Sequence, residues 1–103
     1  MILCYVILHH TGWIEDHFDL MLACDGDGPL RTWRLDAFPN PTVIDPLPAH
    51  RRAYLDYEGP VSNHRGHVKR VAHGSYGTVR ESTSVMRIIL DTGQQLSVPW
   101  PAR

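Results

Sequence analysis

His17-Phe18-Asp19-Leu20-Met21 puts an imidazole and a carboxylate two residues apart inside an apolar run. Residues two apart on a β-strand project from the same face, so His17 and Asp19 are expected together, with Phe18 and Leu20 on the opposite side. A carboxylate among apolar neighbours needs a partner, because burying it unpaired is costly. His9-His10 closes the preceding apolar run, and the short connection through residues 11–16 turns the chain back, so one of these histidines can reach the same place. Two imidazoles and one carboxylate suit a divalent transition metal that keeps open positions for water or a substrate oxygen. The plainer alternative is a His–Asp hydrogen bond on a sheet surface.

A second group is His50-Arg51-Arg52-Ala53-Tyr54, followed by Tyr57-Glu58-Gly59-Pro60. His50 and Tyr54, four apart, share one face of a helical turn or lie close across a bend. Both can donate a hydrogen bond to a phosphate oxygen, and histidine can also serve as general acid. The plainer alternative here is a packed tyrosine beside an exposed histidine.

The elements that must position these residues are short. Eight prolines and eight glycines punctuate runs rich in Val, Ile, Leu, Tyr and Trp, the pattern of a small sandwich or barrel. Strands are expected over residues 2–9, 17–24, 30–35, 53–57, 67–71, 77–80, 86–90 and 95–98, with a helical turn near 50–57 as the alternative start of the fourth. Asp25-Gly26-Asp27-Gly28 reads as a turn, and Asp91-Thr92-Gly93 as the turn of a final hairpin. Pro39, Pro41, Pro46 and Pro48 make residues 36–48 an ordered loop or connector rather than a central strand. The expected fold is mostly β, a small closed or nearly closed barrel with little helix, in which Trp33 and Tyr57 are largely buried. At 103 residues the chain fits one domain.

A net charge of −1 argues against gripping nucleic acid by bulk electrostatics, which needs surplus Lys and Arg. The charge is uneven: residues 1–30 carry Glu15, Asp16, Asp19, Asp25 and Asp27 without Lys or Arg, while Arg51, Arg52, Arg65, Lys69, Arg70 and Arg80 crowd residues 51–80. Such halves can set a cation beside a phosphate. Cys4 and Cys24 are expected as buried free thiols. The opening apolar run lacks a basic leader and a cleavage site, and is too short to cross a bilayer, so a cytoplasmic protein with no membrane partner is expected.

His10, His17-Phe18-Asp19, Asp27-Gly28-Pro29-Leu30 and Thr32-Trp33 resemble, in that order, the opening of the 3′-phosphoesterase domain of bacterial DNA ligase D. His50 with Tyr54 and then Tyr57-Glu58-Gly59 are similar to that family's His-x-x-x-Tyr-x-x-Phe/Tyr-Glu-Gly run, and residues 68–76, ending Gly74-Ser75-Tyr76, to the strand and turn that follow. The resemblance covers residues 5–76. It implies a small β-barrel, a manganese-type divalent metal (zinc or another transition metal being the alternatives) on His10, His17 and Asp19, and His50 and Tyr54 at the scissile phosphate. It also implies action on nucleic-acid 3′ ends, removing 3′-phosphates or 3′-ribonucleosides in DNA repair, with a ligase or polymerase supplied in trans.

The sequence departs from that pattern where the family binds phosphate. Met21 stands where an arginine follows the metal aspartate, a lysine is missing near Ala37, and an arginine is missing near Thr42. Methionine offers no charge-assisted hydrogen bond. Arg51, Arg52 and Arg65 are the expected substitutes, with Arg34 and Lys69 as further cations. Two readings follow: a metal-dependent 3′-phosphoesterase, and a non-catalytic module of the same fold that binds nucleic-acid ends or a repair protein. A third is an unrelated metal-dependent barrel, since two histidines and a carboxylate also suit oxygen chemistry at iron.

Overall fold

The computed structural model describes residues 3–24 and 26–100. Ile2 and Asp25, expected in the first strand and first turn, lie outside them. The strands are β1 (Cys4–Thr11), β2 (His17–Ala23), β3 (Leu30–Leu35), β4 (Ile44–His50), β5 (Gly59–Pro60), β6 (His67–Arg80), β7 (Val85–Leu90) and β8 (Gln95–Pro99), in one antiparallel sheet ordered β4-β3-β2-β1-β6-β7-β8, with β5 beside β6. The sheet curls strongly into an open half-barrel, and its end strands β4 and β8 approach without pairing. Among the described residues the only helix is a 3-10 turn, Arg52–Leu55, and no helix is long and apolar enough to cross a membrane.

Alternation along β1 and β2 divides the core between the two faces of the sheet. Tyr5, Ile7, Leu20 and Leu22 enter the larger cluster inside the curl, with Trp33, Leu35, Ile88 and Val98. Val6, Leu8, Met21 and Ala23 face the other way and pack with Leu30, Val61 and Val68 beneath Tyr54, Leu55 and Tyr57. The central strands are thus apolar on both sides, so a polar residue there stands out. Trp33 is fully buried and donates its indole N–H to the Pro99 carbonyl at 2.9 Å, tying β3 to β8 across the open side.

Several expectations change. Pro46 and Pro48 lie within a strand, β4; it is an edge strand, where a missing amide donor is tolerated. Residues 53–57 form no strand, because the 3-10 turn occupies them and carries Tyr54 inward over the second cluster. Residues 67–80 form one strand rather than two. Asp91 fills the space beside Gly74, with its Oδ2 at 2.1 Å from where a Cβ would stand, and accepts the Ser75 amide at 3.1 Å. β6 thereby passes from β1 to β7 without a break. Tyr57 is half-buried rather than buried, its hydroxyl donating to the Pro60 carbonyl at the rim. Cys4 and Cys24 are free thiols, as expected, but half-buried and packed against different clusters.

Candidate metal centre and its cleft

The β1–β2 register decides which histidine joins Asp19. His10 pairs directly with His17, and His9 with Phe18. His9 therefore stacks on Phe18, ring centroids 4.3 Å apart, while His10 shares the face of His17 and Asp19. One ligand atom from each of His10, His17 and Asp19 can be chosen so that all lie within 4.8 Å of one another. The three residues are 8 %, 7 % and 3 % exposed.

Each imidazole is anchored on its far side. His10 Nε2 donates its proton to the Arg65 carbonyl at 2.6 Å, and His17 Nδ1 donates to the Glu15 carbonyl at 2.9 Å. In the neutral rings these bonds leave lone pairs on His10 Nδ1 and His17 Nε2, the nitrogens that face Asp19 at 3.8 and 3.2 Å. Such backbone anchoring fixes tautomer and orientation in metal-binding histidines. The His17–Asp19 contact lacks hydrogen-bond geometry, so Oδ1 of Asp19 is a buried oxygen without a donor. Two lone pairs facing a carboxylate form a donor set that could hold a metal ion between them, and without one a proton on His17 serves the carboxylate. In the metal-free protein the Asp19 carboxylate raises the His17 pKa above its ordinary value of 6.5, against the opposing effect of burial. The residues present therefore fit a divalent metal, by donor set and by the unsatisfied oxygen.

The Arg65 carbonyl is held by the loop 61–66. The Val61 amide donates to the Gly66 carbonyl at 2.8 Å, and Gly66 takes φ +81° against the end of β1. A Cβ there would stand 2.1 Å from the Thr11 carbonyl oxygen, so only glycine fits.

The group opens into a cleft of about 230 Å³ whose walls include Trp13, Arg34, His50, Tyr54 and Arg65, with Met21 among its lining. His50 donates from Nδ1 to the Pro48 carbonyl at 2.9 Å, leaving Nε2 for other partners, and its ring meets the Tyr54 edge at a centroid distance of 6.0 Å. Among the described residues nothing hydrogen-bonds the Tyr54 hydroxyl. His50 and Tyr54 thus share one cleft with the triad.

The expected substitute arginines divide. Arg65 lines the cleft, although its guanidinium donates to Ser62 at 2.9 Å through Nε and at 3.3 Å through NH2. Arg51 and Arg52 do not line it: Arg51 lies over the Tyr54 ring at 5.9 Å, and Arg52 donates to the Gly28 carbonyl at 3.3 Å. Lys69 is exposed and also absent from the lining. Arg34 is the better-placed cation, because it pairs directly with Asp19 across the β2–β3 ladder and lines the cleft. Its guanidinium bridges the exposed Glu15 carboxylate at 2.9 Å. The turn after β2 carried this information, since centring a hairpin on Gly26 and Asp27 sets Asp19 opposite Arg34. Trp13, whose ring lies 5.8 Å from that of His10, left no such sign in the sequence.

No family model matches the chain, and no curated protein matches it.

Proposed function

We propose that the protein is a divalent-metal-dependent phosphoesterase that acts on the 3′ ends of DNA or primer strands, removing a 3′-phosphate or 3′-ribonucleoside in end repair. The observation that carries this reading is the buried His10–His17–Asp19 group, with both imidazoles pre-anchored, opening on a cleft that also holds His50 and Tyr54. The ordered resemblance of residues 5–76 to the ligase D phosphoesterase domain supplies the substrate class, and manganese as the metal; a cytoplasmic setting and a ligase or polymerase acting in trans belong to the same reading. When bound, the metal supplies Lewis acidity toward a phosphoryl oxygen and lowers the pKa of a coordinated water.

The chain's own residues do the rest. His10 and His17 would hold the metal through Nδ1 and Nε2, with Asp19 supplying the negative charge. His50, protonated at Nε2, gives its proton to the leaving oxygen as general acid. The Tyr54 hydroxyl donates to a phosphoryl oxygen and orients it. Arg34, freed from Glu15, offers a forked donor that matches two phosphoryl oxygens, and so stands in for the cation that Met21 lacks.

One observation favours a second reading, a non-catalytic module that binds ends without cleaving them. Met21 is buried and contributes no donor, and both cleft arginines already have protein partners. A primer labelled at its 5′ end and carrying a 3′-phosphate or 3′-terminal ribonucleotide separates the two. The enzyme reading expects shortening or dephosphorylation with manganese, none with chelator, and none with His17→Ala. Well-folded, manganese-loaded protein that leaves both primers intact would reject it for these substrates.

A further inference from the structure

Two grooves adjoin the cleft, and their chemistries are opposed. One, of about 390 Å³, meets it at Arg34 and is lined by Glu15, Asp16, Asp36 and Asp45. All four carboxylates are exposed. The other, of about 260 Å³, meets it at Tyr54 and is lined by Arg51, Tyr57 and Ser62, with no carboxylate. Here the Arg51 guanidinium lies over Tyr54, and Tyr54 and Tyr57 meet edge to face at 5.9 Å. Tyr54 and Tyr57 are half-buried and keep part of their surface open to the groove. Open aromatic surface beside a guanidinium binds single-stranded nucleic acid without regard to sequence, because every base offers a face to stack and every linkage a negative charge. Four exposed carboxylates repel the same chain.

We infer that the Arg51–Tyr54–Tyr57 groove carries the last few nucleotides of a single strand whose terminus lies in the cleft, and that the carboxylate groove stops the strand from running through. The arrangement accepts ends and refuses interiors. It rests on the phosphoesterase reading only for what happens to the terminus; binding and end preference stand on the grooves alone. Arg51 acts as a strand contact, away from the metal group.

The test is binding, read by fluorescence anisotropy with a labelled oligothymidylate, linear or circularised, in chelator so that no turnover occurs. The linear strand is expected to bind about tenfold more tightly than the circle. Arg51→Ala should lower linear-strand affinity by about tenfold, the effect of losing one stacked, charge-assisted contact. Manganese affinity, measured separately, should stay unchanged. Asp45→Lys with Glu15→Lys should tighten the circle toward the linear strand. Equal binding of line and circle, or an Arg51→Ala protein that binds like the wild type, overturns the inference. A protein that binds as expected but never cleaves a primer with manganese leaves the groove intact and removes the phosphoesterase reading instead. Cleavage of a primer by Arg51→Ala with unchanged KM removes the groove and leaves that reading.

Discussion

Asp19 is the least comfortable residue in the fold. It is 3 % exposed, faces two imidazole nitrogens, and has one oxygen without a donor. A buried charge is normally retained only where something pairs with it. At pH above the raised His17 value, Asp19→Asn should therefore leave the metal-free protein as stable or slightly more so, while removing metal affinity, a trade common at functional sites. Thermal melts with and without manganese check both halves. The metal-free state has its own pH dependence. The His17 pKa is raised by Asp19, so the stabilisation from that pair is fully present below 6.5 and is lost as pH rises through the raised value. Metal binding runs the opposite way, because a ligand nitrogen must be free of its proton. Melting temperature in chelator should fall as pH rises through this window, while manganese affinity rises. His50→Ala should keep metal affinity and lower kcat by about 10²–10⁴, as for a lost general acid.

At the scale of elements, the site depends on backbone that no side-chain motif reveals. β1, β2 and β3 were legible because each is a short apolar run bounded by a turn that contains glycine, and with them the face shared by His17 and Asp19. β4 was not, since Pro46 and Pro48 argue against a strand everywhere except at a sheet edge. β6 was expected as two strands, 67–71 and 77–80, whereas Gly74 between them is a place where the Asp91 side chain lies against the backbone. The loop 61–66 also escaped notice, although its Arg65 carbonyl orients His10. Gly66→Ala drives a Cβ into the Thr11 carbonyl at a positive φ, so it should cost on the order of 1–3 kcal/mol and weaken manganese binding as well. A surface change such as Lys69→Ala should do neither. Denaturant unfolding and a metal titration of both variants check this. The 36–43 loop, beside the carboxylate groove, is tied by Asp36. The Thr42 hydroxyl and the Val43 and Thr42 amides donate to it and hold its pKa down to about 2. This contribution is present above the ordinary carboxylate value and is lost as pH falls through about 2. Asp36→Asn should thus speed proteolysis of the loop at neutral pH.

Over the whole molecule, a sheet that is apolar on both faces leaves little room for polar side chains, and among the described residues the triad supplies three of the four buried polar positions, Thr32 being the fourth. A mostly β fold with little helix followed from punctuation and periodicity. The open half-barrel fits the expected closed or nearly closed barrel, and its degree of closure depends on how far β4 and β8 curl toward each other. The convergence of His50 and Tyr54 on the triad was suggested by ordered resemblance and not by spacing, since that contact joins elements far apart in the chain. Met21 marked the departure from the resemblance in the sequence, whereas placing Arg34 opposite Asp19 needed the β2–β3 register. The central claim is that His10, His17 and Asp19 form a metal centre, and a calorimetric titration of chelator-stripped protein with manganese at neutral pH tests it most directly. The account predicts one saturable site per chain in the wild type, retained in Lys69→Ala and lost in both His17→Ala and Asp19→Asn. Absence of saturable binding in folded wild-type protein, or binding that survives both substitutions, would contradict it.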